Sequence, residues 1–120
     1  MKELTKAEEE VMQILWRIES GVVKDILNEM SEPKPAYNTV STVVRVMEQK
    51  GFVGYKKVGK FHEYHPLISK ELYTKTFMQG FVKKYFDGSY RRMVSFFTNE
   101  ENLSIQDLET LINEEKSKKS

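Results

Sequence analysis

The feature that most constrains this 120-residue chain is a change of period at Gly51. Before it, Val40, Val43, Val44 and Met47 recur at i, i+3, i+4 and i+7, which lines apolar side chains along one stripe of a helix. After it, "FVGYKK" and "KFHEYHP" carry aromatic and β-branched residues around Val58-Gly59, which reads as a hairpin with Pro66 ending its second strand. The polar side of the helix is unusual. Asn38, Thr39, Ser41 and Thr42 are mediocre helix formers. A solvated face would favour Glu–Lys pairs instead. If these side chains are exposed, something other than helix stability selected them.

Two helices are expected upstream. "LTKAEEEVMQILWRIESG" opens with a capping box of Thr5 and Glu8, and Glu8, Glu9 and Glu10 suit the positive end of the helix dipole. Val11, Met12, Leu15 and Trp16 form its apolar stripe, so helix one spans Thr5 to Glu19 with Gly21 as its stop. "VVKDILNEMSEPKP" predicts a short helix with Val23, Ile26, Leu27 and Met30 inward, ended by Pro33 and Pro35. Helix three then runs from Asn38 to Gln49.

Beyond Pro66, "ISKELYTKTFMQGFVKKYF" predicts a long amphipathic helix with Leu72, Tyr73, Phe77, Phe81, Tyr85 and Phe86 near one side. Asp87-Gly88 breaks it. "SYRRMVSFF" predicts a shorter helix, "TNEEN" a loop, and Ser104 the cap of a last helix bearing Ile105, Leu108, Leu111 and Ile112. Three helices followed by a two-stranded wing is the winged helix-turn-helix order. The expected fold is mainly α with a small β-wing: a winged helix-turn-helix domain at 1–66, then a helical region at 67–120.

Composition narrows the chemistry. There are no cysteines, which removes disulfides, thiolate metal sites and cysteine nucleophiles. No apolar run approaches the roughly 20 residues of a membrane span, and "MKELTKAEEE" lacks a signal-peptide pattern, so a cytoplasmic protein without membrane contact is expected. The only histidines, His62 and His65, lie three apart on a strand and so on opposite faces, which argues against a shared metal. No nucleophile–base set or phosphate-cradling glycine loop is legible, so no enzyme and no cofactor is expected. Charge is unevenly spread. Residues 1–33 carry four basic and eight acidic residues, 34–66 six basic and two acidic, and 67–120 nine basic and eight acidic. The basic excess falls on helix three and the hairpin, as a polyanion-binding surface would require.

These residues fit double-stranded DNA. Helix three would present Asn38, Thr39, Ser41, Thr42 and Arg45 to the major groove, where Asn pairs with adenine, Arg with guanine, and Thr or Ser with several partners. Tyr37 could donate its hydroxyl to phosphate. Lys56, Lys57 and Lys60 flank the hairpin turn and could grip the backbone, although lysines also protect exposed strand edges. His62 sits where it could touch the wing or DNA. A winged-helix module for protein–protein contact is the alternative reading.

"LTKAEEEVMQILW", Thr39-Val40 and Thr42 followed by Lys50-Gly51, "VGKFHEYHP" and "YFDGS" together resemble the penicillinase-repressor (BlaI/MecI/CopY) family of bacterial winged-helix repressors, from Leu4 to about Glu115. The resemblance implies a homodimeric repressor on an inverted-repeat operator. Phe77, Phe81, Tyr85, Phe86, Phe96, Phe97, Leu108 and Leu111 would then be shared between core and dimer interface. There are departures. The family pattern has Arg where Val46 stands, Arg where Lys60 stands, and an aromatic where His62 stands. Antibiotic-responsive members are cleaved by a sensor protease at an Asn-Phe bond; the corresponding place is Phe96-Phe97, without the Asn. Copper-responsive members use C-terminal cysteines, which this chain lacks.

Overall fold

The structure, a computed structural model, describes residues 3–99, 109–110 and 113–114. Its elements are α1 (Lys6–Ile18), α2 (Val23–Asn28), α3 (Tyr37–Gln49), β1 (Val53–Val58), β2 (Phe61–Pro66), α4 (Lys70–Phe86) and α5 (Tyr90–Asn99). The chain divides into two compact units, residues 4–70 and residues 71 onward. Among the described residues, no helix is long and apolar enough to cross a membrane.

The first unit is a winged helix-turn-helix. α1 starts as its sequence predicts: Thr5 Oγ1 accepts from the Glu8 amide at 3.2 Å, and Glu8 Oε1 accepts from the Thr5 amide at 2.9 Å. The apolar stripe is rotated slightly from expectation. Val11, Met12, Ile14 and Leu15 are buried, while Trp16 is half-buried and donates its indole N–H to the Ile68 carbonyl at 2.9 Å. Gly21 is not the helix stop. Glu19 caps α1 itself, at φ 74°, and Gly21 exchanges two backbone hydrogen bonds with Tyr64 on β2, at 3.0 and 2.8 Å. A side chain at Gly21 would press to 3.0 Å on Asp25 and Ile18, so its value is the close approach that roots the wing.

α2 buries Val23 and Ile26, with Met30 just beyond its end. The chain then crosses to α3, which buries Val40, Val44 and Met47 against the other helices and leaves Val43 half-buried. α3 ends in a Schellman-type turn: the Phe52 amide reaches the Met47 carbonyl at 3.0 Å while Gly51 takes φ 86°. β1 and β2 pair antiparallel, Val53 opposite Pro66 through Val58 opposite Phe61. The two-residue turn is Gly59-Lys60, one position later than the sequence break implies. Gly59 at φ 62° supplies the positive first position of a type II′ hairpin.

In the second unit, α4 buries Tyr73, Phe81 and Val82. Of the six residues expected on its inner side, Leu72 and Tyr85 are exposed and Phe77 and Phe86 half-buried. Asp87 (φ 53°) and Gly88 (φ 81°) break the chain as expected, and Ser89 Oγ accepts from the Arg92 amide to cap α5. α5 continues through Thr98 and Asn99, which the sequence places in a loop. Phe81, Phe86, Phe96 and Phe97 make a contiguous aromatic cluster with ring centroids 5.3–6.4 Å apart. Ser104, Ile105, Leu108, Leu111 and Ile112 lie outside the described residues.

One polar contact crosses the core of the winged helix. Lys50 Nζ sits 2.8 and 3.0 Å from the two carboxylate oxygens of Glu8, whose side chain is 5% exposed. Burial pushes the Glu8 carboxyl up, but the bonds from Lys50 and Thr5 outweigh it and hold it below its ordinary 4.5. Because the folded value is depressed, the stabilisation is complete above the unfolded value and is lost as pH falls through the folded one. Lys50→Met should therefore destabilise the fold by about 2–4 kcal/mol in urea unfolding at neutral pH. Glu8→Gln should flatten the acid limb of stability against pH below about 4.5. An unchanged acid limb in Glu8→Gln would show that this carboxylate is not the linked group.

Candidate nucleic-acid interface

The exposed arc of α3 follows from its buried one. With Val40, Val44 and Met47 inward, about 100° per residue places Arg45, Asn38 and Thr42 farthest from the core. Tyr37 and Ser41 lie on the flank toward the wing, and Thr39 on the flank toward α1 and α2. All six are exposed except Ser41, which is half-buried. Thr42 Oγ1 donates to the Asn38 carbonyl at 2.9 Å, so its hydroxyl proton is committed and its lone pairs and methyl face outward.

The N-terminus of α3 differs from those of α1 and α2. Both earlier helices carry acidic residues in the first turn, and Glu8 and Asp25 each accept from the N-cap backbone amide. α3 begins after Ala36 with no side-chain cap and no acidic residue in its first turn. Its free amides and dipole therefore stay available to an anion such as a phosphate. The approach to α3 is fixed by Lys34. Its ammonium donates to the carbonyls of Leu27, Asn28 and Met30 at 3.2, 2.9 and 2.8 Å, closing the end of α2.

The wing brings a second row to this face. Pairing puts Tyr55, Lys57, His62 and Tyr64 on one side of the hairpin and Lys56, Val58, Phe61 and Glu63 on the other. His62 stacks on Tyr55 with centroids 4.0 Å apart and planes 8° apart. The three wing lysines are thus not equivalent. Lys57 shares a face with His62, whereas Lys56 lies opposite Glu63 at 3.9 Å, on the other face. His62 and His65 fall on opposite faces, and no group of metal-binding side chains occurs among the described residues.

α3 and the wing meet in a groove of about 230 Å³. Tyr37, Ser41 and Arg45 form one bank, Lys60, Phe61 and His62 the other, over a floor of Val22, Val23 and Tyr64. Five of the ten residues that the sequence marks for DNA converge here: Tyr37, Ser41, Arg45, Lys60 and His62. Asn38 and Thr42 stand outside the groove on the outermost face of α3. Thr39 lines a separate, mainly apolar cavity of about 270 Å³ with Val43, Val11 and Met30. Among the described residues, Arg45, Lys57 and Lys60 have no carboxylate partner. Burial pushes the Tyr64 hydroxyl above its ordinary value, with Glu48 adding and Arg45 opposing, so it remains a neutral donor.

Sequence reasoning missed Lys34, the apolar floor and the Glu8–Lys50 link. For Lys34 there was a signal, a lysine a few residues beyond a helix end, the position from which an ammonium reaches the last carbonyls.

Helix-turn-helix, wing and unpaired cations on one face define a winged-helix DNA-binding protein. The family model described as "Penicillinase repressor" matches residues 4–115. The chain belongs to the penicillinase repressor family, whose members are transcriptional repressors and not enzymes. It is 29% identical to the methicillin resistance regulatory protein MecI of Staphylococcus aureus over 112 residues, covering 92% of this chain and 91% of that one. It is 26% identical to the penicillinase repressor of Bacillus licheniformis over 121 residues, covering 98% and 94%. Among solved structures it is similar to the Bacillus licheniformis BlaI monomeric form in complex with the blaP half-operator, at TM-score 0.49 and 25% identity, over 58% of this chain and 87% of that one.

The split among the wing lysines is testable. Lys57→Ala should lower DNA affinity and reduce the slope of log affinity against log salt by about 1. Lys56→Ala should change both by less than half as much. Equal effects would mean that both wing faces meet DNA.

Proposed function

We propose that this protein is a homodimeric transcriptional repressor that binds an inverted-repeat operator through α3 and the wing and so occludes a promoter in the cytoplasm. The observation that carries this reading is the row Tyr37, Ser41 and Arg45 facing Lys60 and His62 across one groove, beside an uncapped helix N-terminus. Arg45, Asn38 and Thr42 project farthest and read base edges; Ser41 and Thr39 lie on either flank. Tyr37, Lys57, Lys60 and His62, together with the more distant Lys56, hold the phosphate backbone.

The dimer rests on the second unit. α5 has no buried residue, and Tyr90, Val94 and Phe96 are 49%, 54% and 44% exposed. An amphipathic helix with its apolar side open is matched by a second copy, through an isologous contact that also includes Tyr85, Phe86 and Phe97. Phe77 and Phe81 are more covered within the chain and support that surface from below. Two linked reading heads gain affinity through effective concentration, on half-sites one or more helical turns apart. Ser95 precedes Phe96, so an Asn-Phe-directed protease has no bond to cut at that place.

Mobility shift with the DNA upstream of the protein's own gene should give salt-sensitive binding that scrambled DNA of equal length does not reproduce. Thr42→Ala should weaken specific more than non-specific binding, and Arg45→Ala should cost about 1–3 kcal/mol and relax one base position. In sedimentation, Val94→Asp combined with Phe96→Asp should turn a dimer into a folded monomer. Equal affinity for scrambled DNA would sink the operator reading; a dimer that survives both aspartates would sink the interface.

A further inference from the structure

The groove between α3 and the wing holds more than a phosphate needs. A backbone phosphate is satisfied by cations and hydrogen-bond donors, and Arg45, Lys60 and Ser41 supply them. Beside them stand the rings of Tyr37 and Phe61, 46% and 57% exposed, over half-buried Val22 and the buried Val23 and Tyr64. Those two exposed rings offer carbon surface that a phosphate does not use. The volume decides the size of what fits. A protein cavity of about 150 Å³ accepts a benzene ring. The groove's 230 Å³ therefore takes one ring with a carboxylate and a further small substituent.

We propose that this groove is a binding site for a single-ring aromatic carboxylate, and that this anion and operator DNA exclude one another. The ring lies between Tyr37 and Phe61, over Val22. The carboxylate meets the Arg45 guanidinium, whose planar fork matches two carboxylate oxygens, with Lys60 beside it. The Tyr64 and Ser41 hydroxyls, which make no hydrogen bond among the described residues, are donors at the same wall. Exclusion follows because Ser41, Arg45 and Lys60 cannot serve the carboxylate and DNA together. The site thus gives the repressor a chemical input that needs no proteolysis. This second part rests on the DNA-binding reading; the first does not.

Salicylate is the probe. Titrated into the uniformly 15N-labelled full chain, it should shift amides at 22–23, 41–45 and 60–64 in a saturable way, with a Kd on the order of 1 mM. At five times that Kd it should lower operator affinity about sixfold, as simple competition requires. Sodium phosphate at matched ionic strength should not. Val22→Phe, which fills the space between the two rings, should lose the saturable salicylate shifts. The proposal is overturned by the absence of saturable shifts up to about 20 mM, by shifts centred away from the groove, or by an equal loss of DNA binding in phosphate. The unaltered chain decides the matter should Val22→Phe not fold. Salicylate shifts in a protein that ignores operator DNA would support the site and overturn only the DNA reading. Operator binding without salicylate shifts would overturn only the site.

Discussion

Glu8 and Lys50 are 42 positions apart in the sequence and within 2.8 Å in the fold. One carboxylate closes the N-terminal cap of α1 and receives the ammonium at the C-cap of α3. It is thus part of a local signal and of a long-range one. A nearly buried carboxylate is costly to leave unpaired, and few arrangements satisfy it. α3 must therefore end where Lys50 can reach α1, and the Schellman turn at Gly51 then sends the chain into β1. The direction of α3 and the starting point of the wing are both set at this end of the helix.

The exposed arc of α3 is what remains after these internal demands are met. Val40, Val44 and Met47 take the inner arc, so the outer arc is free for side chains chosen for chemistry rather than helix propensity. The wing is held at its root by the Gly21–Tyr64 bridge and at its tip by Gly59. Strand register then decides which lysine shares a face with His62 and which with Glu63. Lys34 completes the frame by satisfying three carbonyls at the end of α2, which holds the turn ahead of α3. Glu8, Lys34 and Lys50 commit their charged groups to contacts within the fold. Arg45, Lys57 and Lys60, on α3 and the wing, have no carboxylate partner among the described residues.

Much of this was legible in the sequence because it is local. The capping box at Thr5 and Glu8, the 3.6 period of α3, the change to strand at Gly51 and the break at Asp87-Gly88 depend on residues within a turn or two. What was not legible depends on partners far along the chain. Gly21 looked like a helix stop because nothing nearby shows that Tyr64 needs its backbone. Trp16 fits the apolar stripe by spacing, yet its indole N–H serves the Ile68 carbonyl. Periodicity also overstated the inner side of α4, where Leu72 and Tyr85 fit the spacing but remain exposed and Val82 is buried instead. In the candidate site, residue types were readable and their grouping was not. Only strand register separates Lys56 from Lys57, and only packing sets Thr39 apart from Ser41.

The central claim is that α3 and one face of the wing act together as a single DNA-reading surface. The most direct measurement is the map of amide shifts in the full chain when the duplex upstream of its gene is added. Shifts should concentrate at 36–45 and 57–62, with the solvent side of α1 and the body of α4 unmoved. Shifts centred on α4 and α5, with α3 and the wing silent, would contradict it.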